Sequence, residues 1–176
     1  MARKAEAASR TWIRSVVERY EGPLIRYAAR LAGDVEVARD AVQETFLALI
    51  RADPAEVRHH VAPWLFAVCR NRTLDLRRKE KRMDSLDEEH LALRVATTPS
   101  PVVLVEGKEA AGRLLAVIES LPEREREVVR LKFQEGLRYR EISEVMGISV
   151  SNVGFLIHTA TKTLRKRLAD GTDKEK

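Results

Sequence analysis

The chain has 176 residues, 44% hydrophobic and 34% charged, enough for one ordinary domain or two small ones with packed cores and heavily charged surfaces. Aromatics make up only 5%, with 8 glycines and 6 prolines, which argues against a turn-rich sandwich or barrel and predicts an all-α protein. The net charge of +5 favours a polyanionic partner, and the single cysteine excludes an intrachain disulfide and fits a reducing cytoplasm.

From about Thr11 to Ala32, apolar residues recur at helical spacing: Trp12, Ile13, Val16, Val17 and Tyr20, then Leu24, Tyr27, Ala28 and Leu31. Gly22-Pro23 predicts a break, with Pro23 starting a second helix. The opening MARKAEAASR lacks the apolar run of a signal peptide, and no stretch approaches the roughly 20 residues of a membrane span. A cytoplasmic protein with no membrane insertion is expected.

Asp34, after Gly33, is placed to cap the next helix. Its apolar stripe is Ala38, Ala41, Val42, Thr45, Phe46 and Leu49, while Glu36, Asp40, Gln43 and Glu44 gather on another face. An acidic helix side is by default a solvated one; it also suits docking to a basic partner. Asp53-Pro54 ends the helix or begins a short connection.

Pro63 opens a long helix whose first half is apolar (Trp64, Leu65, Phe66, Val68). Between Arg70 and Arg82, seven basic residues face two acidic ones, a net charge equal to the excess of the whole chain. The helix therefore starts in a core and ends at a surface. Arg72, Arg77 and Arg78 are suited to neutralising phosphates, Asn71 to reaching an exposed base edge, and Asp75 to holding Arg72, Arg78 or Lys79 in place. Taken alone, this stretch reads equally well as a solvated helix end. Trp64 and Phe66 are assigned to the core rather than to stacking on bases, and Cys69 is expected as a buried thiol rather than a redox sensor.

From Asp84 to about Glu106 the periodicity fails. An acidic cluster (Asp84, Asp87, Glu88, Glu89) precedes the loop signal Thr97-Thr98-Pro99-Ser100-Pro101. This predicts a linker over 83–109, with a short helical piece near Leu91, between a domain at 1–82 and a second at 110–170. Residues 171–176 form a charged tail.

In the second domain Ala110, Leu114, Leu115, Val117 and Ile118 restore the helical period. Ser120 is expected to cap the next helix, with Pro122, Glu123, Glu125 and Glu127 near its start and Gly136 ending it. Tyr139–Leu156 then has helix-turn-helix grammar. Ser143 sits where two helices approach, Gly147 permits a left-handed turn, and Ile142, Met146, Ile148, Val153 and Leu156 face a shared core. Ser149 caps the second helix, whose first residues point outward. Val150, Ser151, Asn152 and Phe155 are its candidate base readers; Arg138, Arg140, Lys162, Arg165, Lys166 and Arg167 are candidate phosphate ligands. An ordinary helical hairpin is the bland alternative.

Catalytic chemistry finds no footing. His59-His60 is the only histidine pair, and adjacent positions on a helix point apart. No HExxH, CxxC or phosphate-cradling glycine loop occurs, so no catalytic residue, metal, cofactor or small-molecule substrate is expected. A response regulator would need an α/β receiver, and the first half has no strand pattern. A protein-binding helical adaptor would leave the helix-turn-helix and basic helix unexplained.

Together these segments resemble the extracytoplasmic-function (ECF, group IV) sigma factors of the sigma-70 family. Asp40-Ala41-Val42-Gln43-Glu44-Thr45-Phe46 is similar to the region that contacts core RNA polymerase. Pro63-Trp64-Leu65 with Arg70-Asn71, Asp75 and Arg77-Arg78 resembles the region that melts the −10 element. Leu121-Pro122-Glu123-Arg124-Glu125-Arg126-Glu127, Gly136-Leu137, Glu141-Ile142 and Met146-Gly147-Ile148-Ser149 resemble region 4. The resemblance implies a bacterial transcription initiation factor. Asp40, Gln43, Glu44 and Phe46 would dock on the β′ clamp coiled coil, and Asn71 would help capture a flipped −10 base. The second domain would bind the β flap and the −35 element, the acidic linker would thread toward the polymerase channels, and an anti-sigma factor would be a partner. A helix-turn-helix regulator that is not a sigma subunit is the alternative. One departure stands out: where the family carries basic residues soon after Val153, this chain has Gly154, Leu156 and Thr159.

Overall fold

The computed structural model describes residues 2–84 and 107–172. Their regular structure is entirely helical: α1 (Ala2–Ala32), α2 (Val35–Arg51), α3 (Pro54–Val57), α4 (Val61–Asp84), α5 (Gly107–Glu119), α6 (Glu123–Phe133), α7 (Tyr139–Met146) and α8 (Val150–Thr172). A 3-10 turn at Arg58–His60 precedes α4. The chain divides into two compact units, Met1–Thr98 and Pro99–Lys176. The helical piece expected near Leu91 and most of the expected linker lie outside the described residues, as does most of the charged tail.

In the first unit α1, α2 and α4 pack on one another around a single core. α1 contributes Val16, Leu24, Tyr27, Ala28 and Leu31; α2 contributes Val37, Ala38, Ala41, Val42 and Leu49; α4 contributes Leu65, Phe66 and Cys69. Ala28, Ala38 and Ala41 are fully buried, and their small size lets the helix backbones approach. Tyr27 and Phe66 meet edge to face, with centroids 5.2 Å apart and planes at 77°. Two threonines complete the packing. The buried hydroxyls of Thr45 and Thr73 donate to their own helices, to Ala41 O (2.7 Å) and Cys69 O (2.8 Å).

The break expected at Gly22-Pro23 does not occur: α1 runs unbroken through Pro23. Proline in a helix interior forfeits one backbone hydrogen bond and crowds the preceding turn, a cost of about 3 kcal/mol. Two features offset it. Gly22 has no Cβ to collide with the proline ring. Val16 before the proline and Leu24, Tyr27 and Ala28 after it are all buried, so tertiary packing holds both halves helical.

Helix boundaries follow local chemistry. Gly33 takes φ +81° after α1, and the Asp34 carboxylate accepts from the backbone N–H groups of Glu36 (2.7 Å) and Val37 (3.2 Å), as its cap position predicts. Asp53 caps α3 in the same way, accepting from Ala55 N–H at 2.8 Å, with Pro54 in the first turn.

In the second unit Ile118, Leu121, Val129 and Ala160 form a buried cluster with Leu164 packed against it. Val128, Leu131, Leu137, Ile142, Val145, Met146, Val153 and Ile157 are buried as well. One expectation is corrected. Ser120 does not cap α6. It lies just past the end of α5, where its hydroxyl donates to Val117 O (2.6 Å) and receives Arg167. Leu121-Pro122 intervene before α6 begins at Glu123, too far for a side-chain cap. Leu114 and Leu115 share the α5 period but are 40% and 45% exposed; only Ile118 reaches the core. Glu119, an acid in the last turn of α5, opposes that helix's dipole. Arg126 and the buried Arg130 of α6 neutralise it as ion pairs.

Candidate nucleic-acid interface

On α4 the second half leaves the core as the sequence predicts. Asn71, Arg72, Asp75 and Arg78 are exposed, while Thr73 between them is buried and keeps the helix seated. Asp75 pairs with Arg78 (3.2 Å), one of its three sequence-expected partners. Arg72 turns instead to α2, where its Nε lies 3.4 Å from Glu44. Arg77 stands apart from the surface group. It is half-buried and donates to Leu31 O (3.2 Å), satisfying a last-turn carbonyl of α1.

Directly before α4, the 3-10 turn exposes Arg58, His59 and His60. The Arg58 guanidinium lies over the Trp12 ring of α1, 4.9 Å from its centroid. Sequence reasoning missed this cation–π contact, because 46 residues separate the partners and neither belongs to a motif. No cluster of potential metal ligands occurs among the described residues. Phe66 is core and Trp64 half-buried. Cys69 is fully buried, and burial pushes its thiol up from 9.0 to about 11, against a smaller opposite effect of hydrogen bonds with Thr73 and Thr45. At neutral pH it is a protonated, inert core residue.

α2 presents a second surface. Asp40, Gln43 and Glu44 are exposed, and Gln43 and Phe46 line a groove of about 430 Å³ shared with Ile25 of α1. Leu47 and Ile50, 43% and 58% exposed, extend the groove's apolar lining. Phe46 was expected on the core stripe but is only half-buried there. Leu47 and Ile50 escaped sequence reasoning because they continue the Asp40, Gln43 and Glu44 face by one to two turns, and only its polar members were singled out.

In the second unit the helix-turn-helix forms as its residues dictate. Gly147 adopts φ +64°, and its turn is clasped by Ser143, whose hydroxyl donates to Ile148 O (2.5 Å) and whose carbonyl accepts from Ile148 N–H (3.2 Å). Arg138 stands at the N-cap of α7, where its backbone N–H donates to Glu141 (2.6 Å). Ser149 caps α8 through Asn152 N–H at 3.2 Å. Val153, Ile157 and Ala160 bury one face of α8, with Leu156 half-buried. Val150, Ser151 and Phe155 are exposed, Asn152 is half-buried, and Arg138, Arg140, Lys162 and Arg165 are exposed around them. Phe155, at 65%, projects to solvent instead of packing in this unit. His158, also exposed, joins the outward face and was not singled out from sequence. Gly154 accommodates the Tyr139 ring, which also carries Lys132 at 5.5 Å.

No described helix is long and apolar enough to cross a membrane. The family model Sigma-70 region 2 matches residues 16–83, and Sigma-70, region 4 matches residues 111–164. ECF RNA polymerase sigma factor SigW of Bacillus subtilis is 30% identical, over 88% of this chain and 88% of its own. ECF RNA polymerase sigma factor SigL of Mycobacterium tuberculosis is 31% identical, over 94% of each. Two solved structures share the fold. One is CnrH in complex with the cytosolic domain of CnrY (TM-score 0.59, 24% identity, 94% of each chain). The other is RpoE in complex with the anti-sigma factor NepR from Bartonella quintana (TM-score 0.63, 18% identity, 89% of this chain and 96% of that one). The chain belongs to the ECF RNA polymerase sigma factors of the sigma-70 family and is a transcription initiation factor.

Proposed function

We propose that three surfaces of this chain divide the work of initiation. The α2 surface, with Asp40, Gln43, Glu44 and Phe46 beside the α1–α2 groove, docks on the β′ clamp coiled coil of core polymerase. The exposed end of α4, with Asn71, Arg72, Asp75 and Arg78, engages the −10 element, and Arg77 braces that helix while lying close enough to contribute charge. The second unit binds the β flap and reads the −35 element. In it Ser149, Val150, Ser151, Asn152 and Phe155 face base edges, and Arg138, Arg140, Lys162 and Arg165 hold phosphates. These functions map onto a domain at 1–82 and one at 110–170, joined by the acidic segment between them, in a protein working in the bacterial cytoplasm.

The observation that carries the proposal is the excess of basic over acidic residues on two exposed helix surfaces, one in each unit. From Val150 to Ala169, α8 has no acidic residue, and the basic stretch Arg70–Arg82 of α4 holds the chain's whole net positive charge. An anti-sigma factor is proposed as a further partner, because both similar folds above were solved with a bound protein, in one case an anti-sigma factor.

In vitro transcription tests this directly. Sigma-free core polymerase is mixed with the protein and fragmented host DNA. Discrete transcripts that require the protein are expected, and their start sites locate both promoter elements. Core binding without transcripts would leave the promoter-reading surfaces unsupported. Absence of both core binding and transcripts would overturn this division of labour and favour a helix-turn-helix regulator of duplex DNA.

A further inference from the structure

Ser151, Phe155, His158 and Lys162 are all exposed and follow one another by four, three and four residues, so they line a single face of α8. The opposite face, with Val153, Ile157 and Ala160, is buried. At the centre of the outward stripe sits a phenyl ring that packs on nothing apolar within it: Ser151 is one turn before Phe155 and His158 one turn after. The Ser149 cap fixes the start of the helix, so the ring's position on the outer face is set by the helix itself.

We propose that Phe155 reads a thymine of the upstream promoter element through its C5-methyl group. This rests on the assignment of α8 to the major groove made above. In that groove guanine, cytosine and adenine offer hydrogen-bonding edges, whereas thymine alone adds a methyl group. A phenyl ring can neither donate nor accept a conventional hydrogen bond, so the methyl is the feature it can discriminate. Two further observations favour duplex DNA over an apolar protein patch as the occupant. Among the exposed charged residues of α7, its N-cap and α8, the cations Arg138, Arg140, Lys162, Arg165, Lys166 and Arg167 outnumber the acid Glu144. No acid in α8 before Asp170 opposes a phosphate backbone. Gly154, Leu156 and Thr159, which follow Val153, carry no charge, so this stretch offers apolar contact rather than the bidentate hydrogen bonds of arginine or lysine.

The test uses core polymerase reconstituted with the full chain and a promoter recovered from the transcription experiment. Each thymine of the upstream element is replaced in turn by deoxyuridine, which removes the methyl and keeps every hydrogen-bonding group. At one position the substitution is expected to weaken promoter binding about four-fold, the scale of one buried methyl. Phe155→Ala should bind the thymine and uracil promoters equally, and 5-methylcytosine at that position should bind wild-type protein more tightly than cytosine. If wild-type protein binds all uracil promoters as it binds thymine, the inference fails while the sigma-factor surfaces proposed above stand. If Phe155→Ala loses affinity but keeps the thymine preference, the methyl is read elsewhere and the inference is equally overturned. Absence of both core binding and protein-dependent transcripts would reject the parent proposal, and this inference with it.

Discussion

Arg72 on α4 and Glu44 on α2 form an ion pair of 3.4 Å that links the surface proposed for −10 DNA to the surface proposed for polymerase. Both side chains are about half exposed, so the pair contributes little to folding, under about 1 kcal/mol. Glu44→Gln should therefore leave the urea midpoint almost unchanged. If the carboxylate meets a basic clamp surface, the same variant weakens core binding several-fold at low salt, and the deficit fades as salt is raised. A fluorescence titration of labelled protein with core polymerase at two ionic strengths checks this. A large stability loss with unchanged core affinity would make Glu44 a structural residue only.

Cys69 gives a pH prediction. Its thiol titrates near 9.0 when exposed and near 11 in the folded core. Below about pH 9 both states hold the proton, and the stabilisation is complete. As pH rises from 9 toward 11 the unfolded chain releases its proton first, so folding stability falls, by up to about 3 kcal/mol once pH passes the folded value. Urea unfolding of wild type between pH 8 and 10.5 should show this decline superimposed on the titration of tyrosines and lysines. Cys69→Ala starts less stable through lost packing but should lack the cysteine-specific part of the slope. Thiol-reactive reagents should label wild-type protein at pH 8 only as fast as it unfolds.

Gly147 holds the turn between α7 and α8 at φ +64° and ψ +37°, a left-handed conformation that costs residues with a Cβ roughly 1–2 kcal/mol. There is open space around the position, so the penalty for alanine is backbone strain rather than collision. Gly147→Ala is expected to lower the stability of the second unit by that amount and to weaken −35 binding, without altering a −10 strand-opening assay on promoters that need no upstream contact. Gly147→Asn, which tolerates the left-handed region better, should recover part of the loss.

The features legible from sequence were those encoded within a few residues. Asp34, Ser149 and Gly147 act on their immediate neighbours, and each was identifiable from residue type and position. Most of the core face of α2 followed from period, with Phe46 overplaced and Val37 missed, and the apolar first half of α4 from composition. What escaped depends on partners distant in the chain. Pro23 reads locally as a break, and only a core that buries Val16 and Leu24 together keeps α1 continuous through it. Arg77 looks like one more cation of a basic run until its bond to Leu31 O sets it apart. Arg72 has Asp75 at helical spacing yet pairs with Glu44 across two helices. Leu114 and Leu115 obey the helical period yet stay exposed, while Ile118 on the same helix is buried.

Asn71 separates binding from opening. It is exposed on α4, two residues before the buried Thr73, so truncating it should leave helix packing intact. Its amide offers both a donor and an acceptor, the pair needed to hold a base edge that has lost its Watson–Crick partner. That contact exists only once the duplex has opened, so Asn71→Ala should slow formation of permanganate-reactive open complex about ten-fold or more, the scale of one to three kcal/mol for a bidentate base contact. Core affinity and closed-complex binding on duplex promoter should change less than two-fold. A promoter carrying a pre-melted −10 bubble should restore part of the activity, because strand separation no longer depends on capturing the base. Equal losses in core binding and in opening would instead place Asn71 in the polymerase contact and assign strand capture to other residues of α4 or to the Arg58–His60 turn.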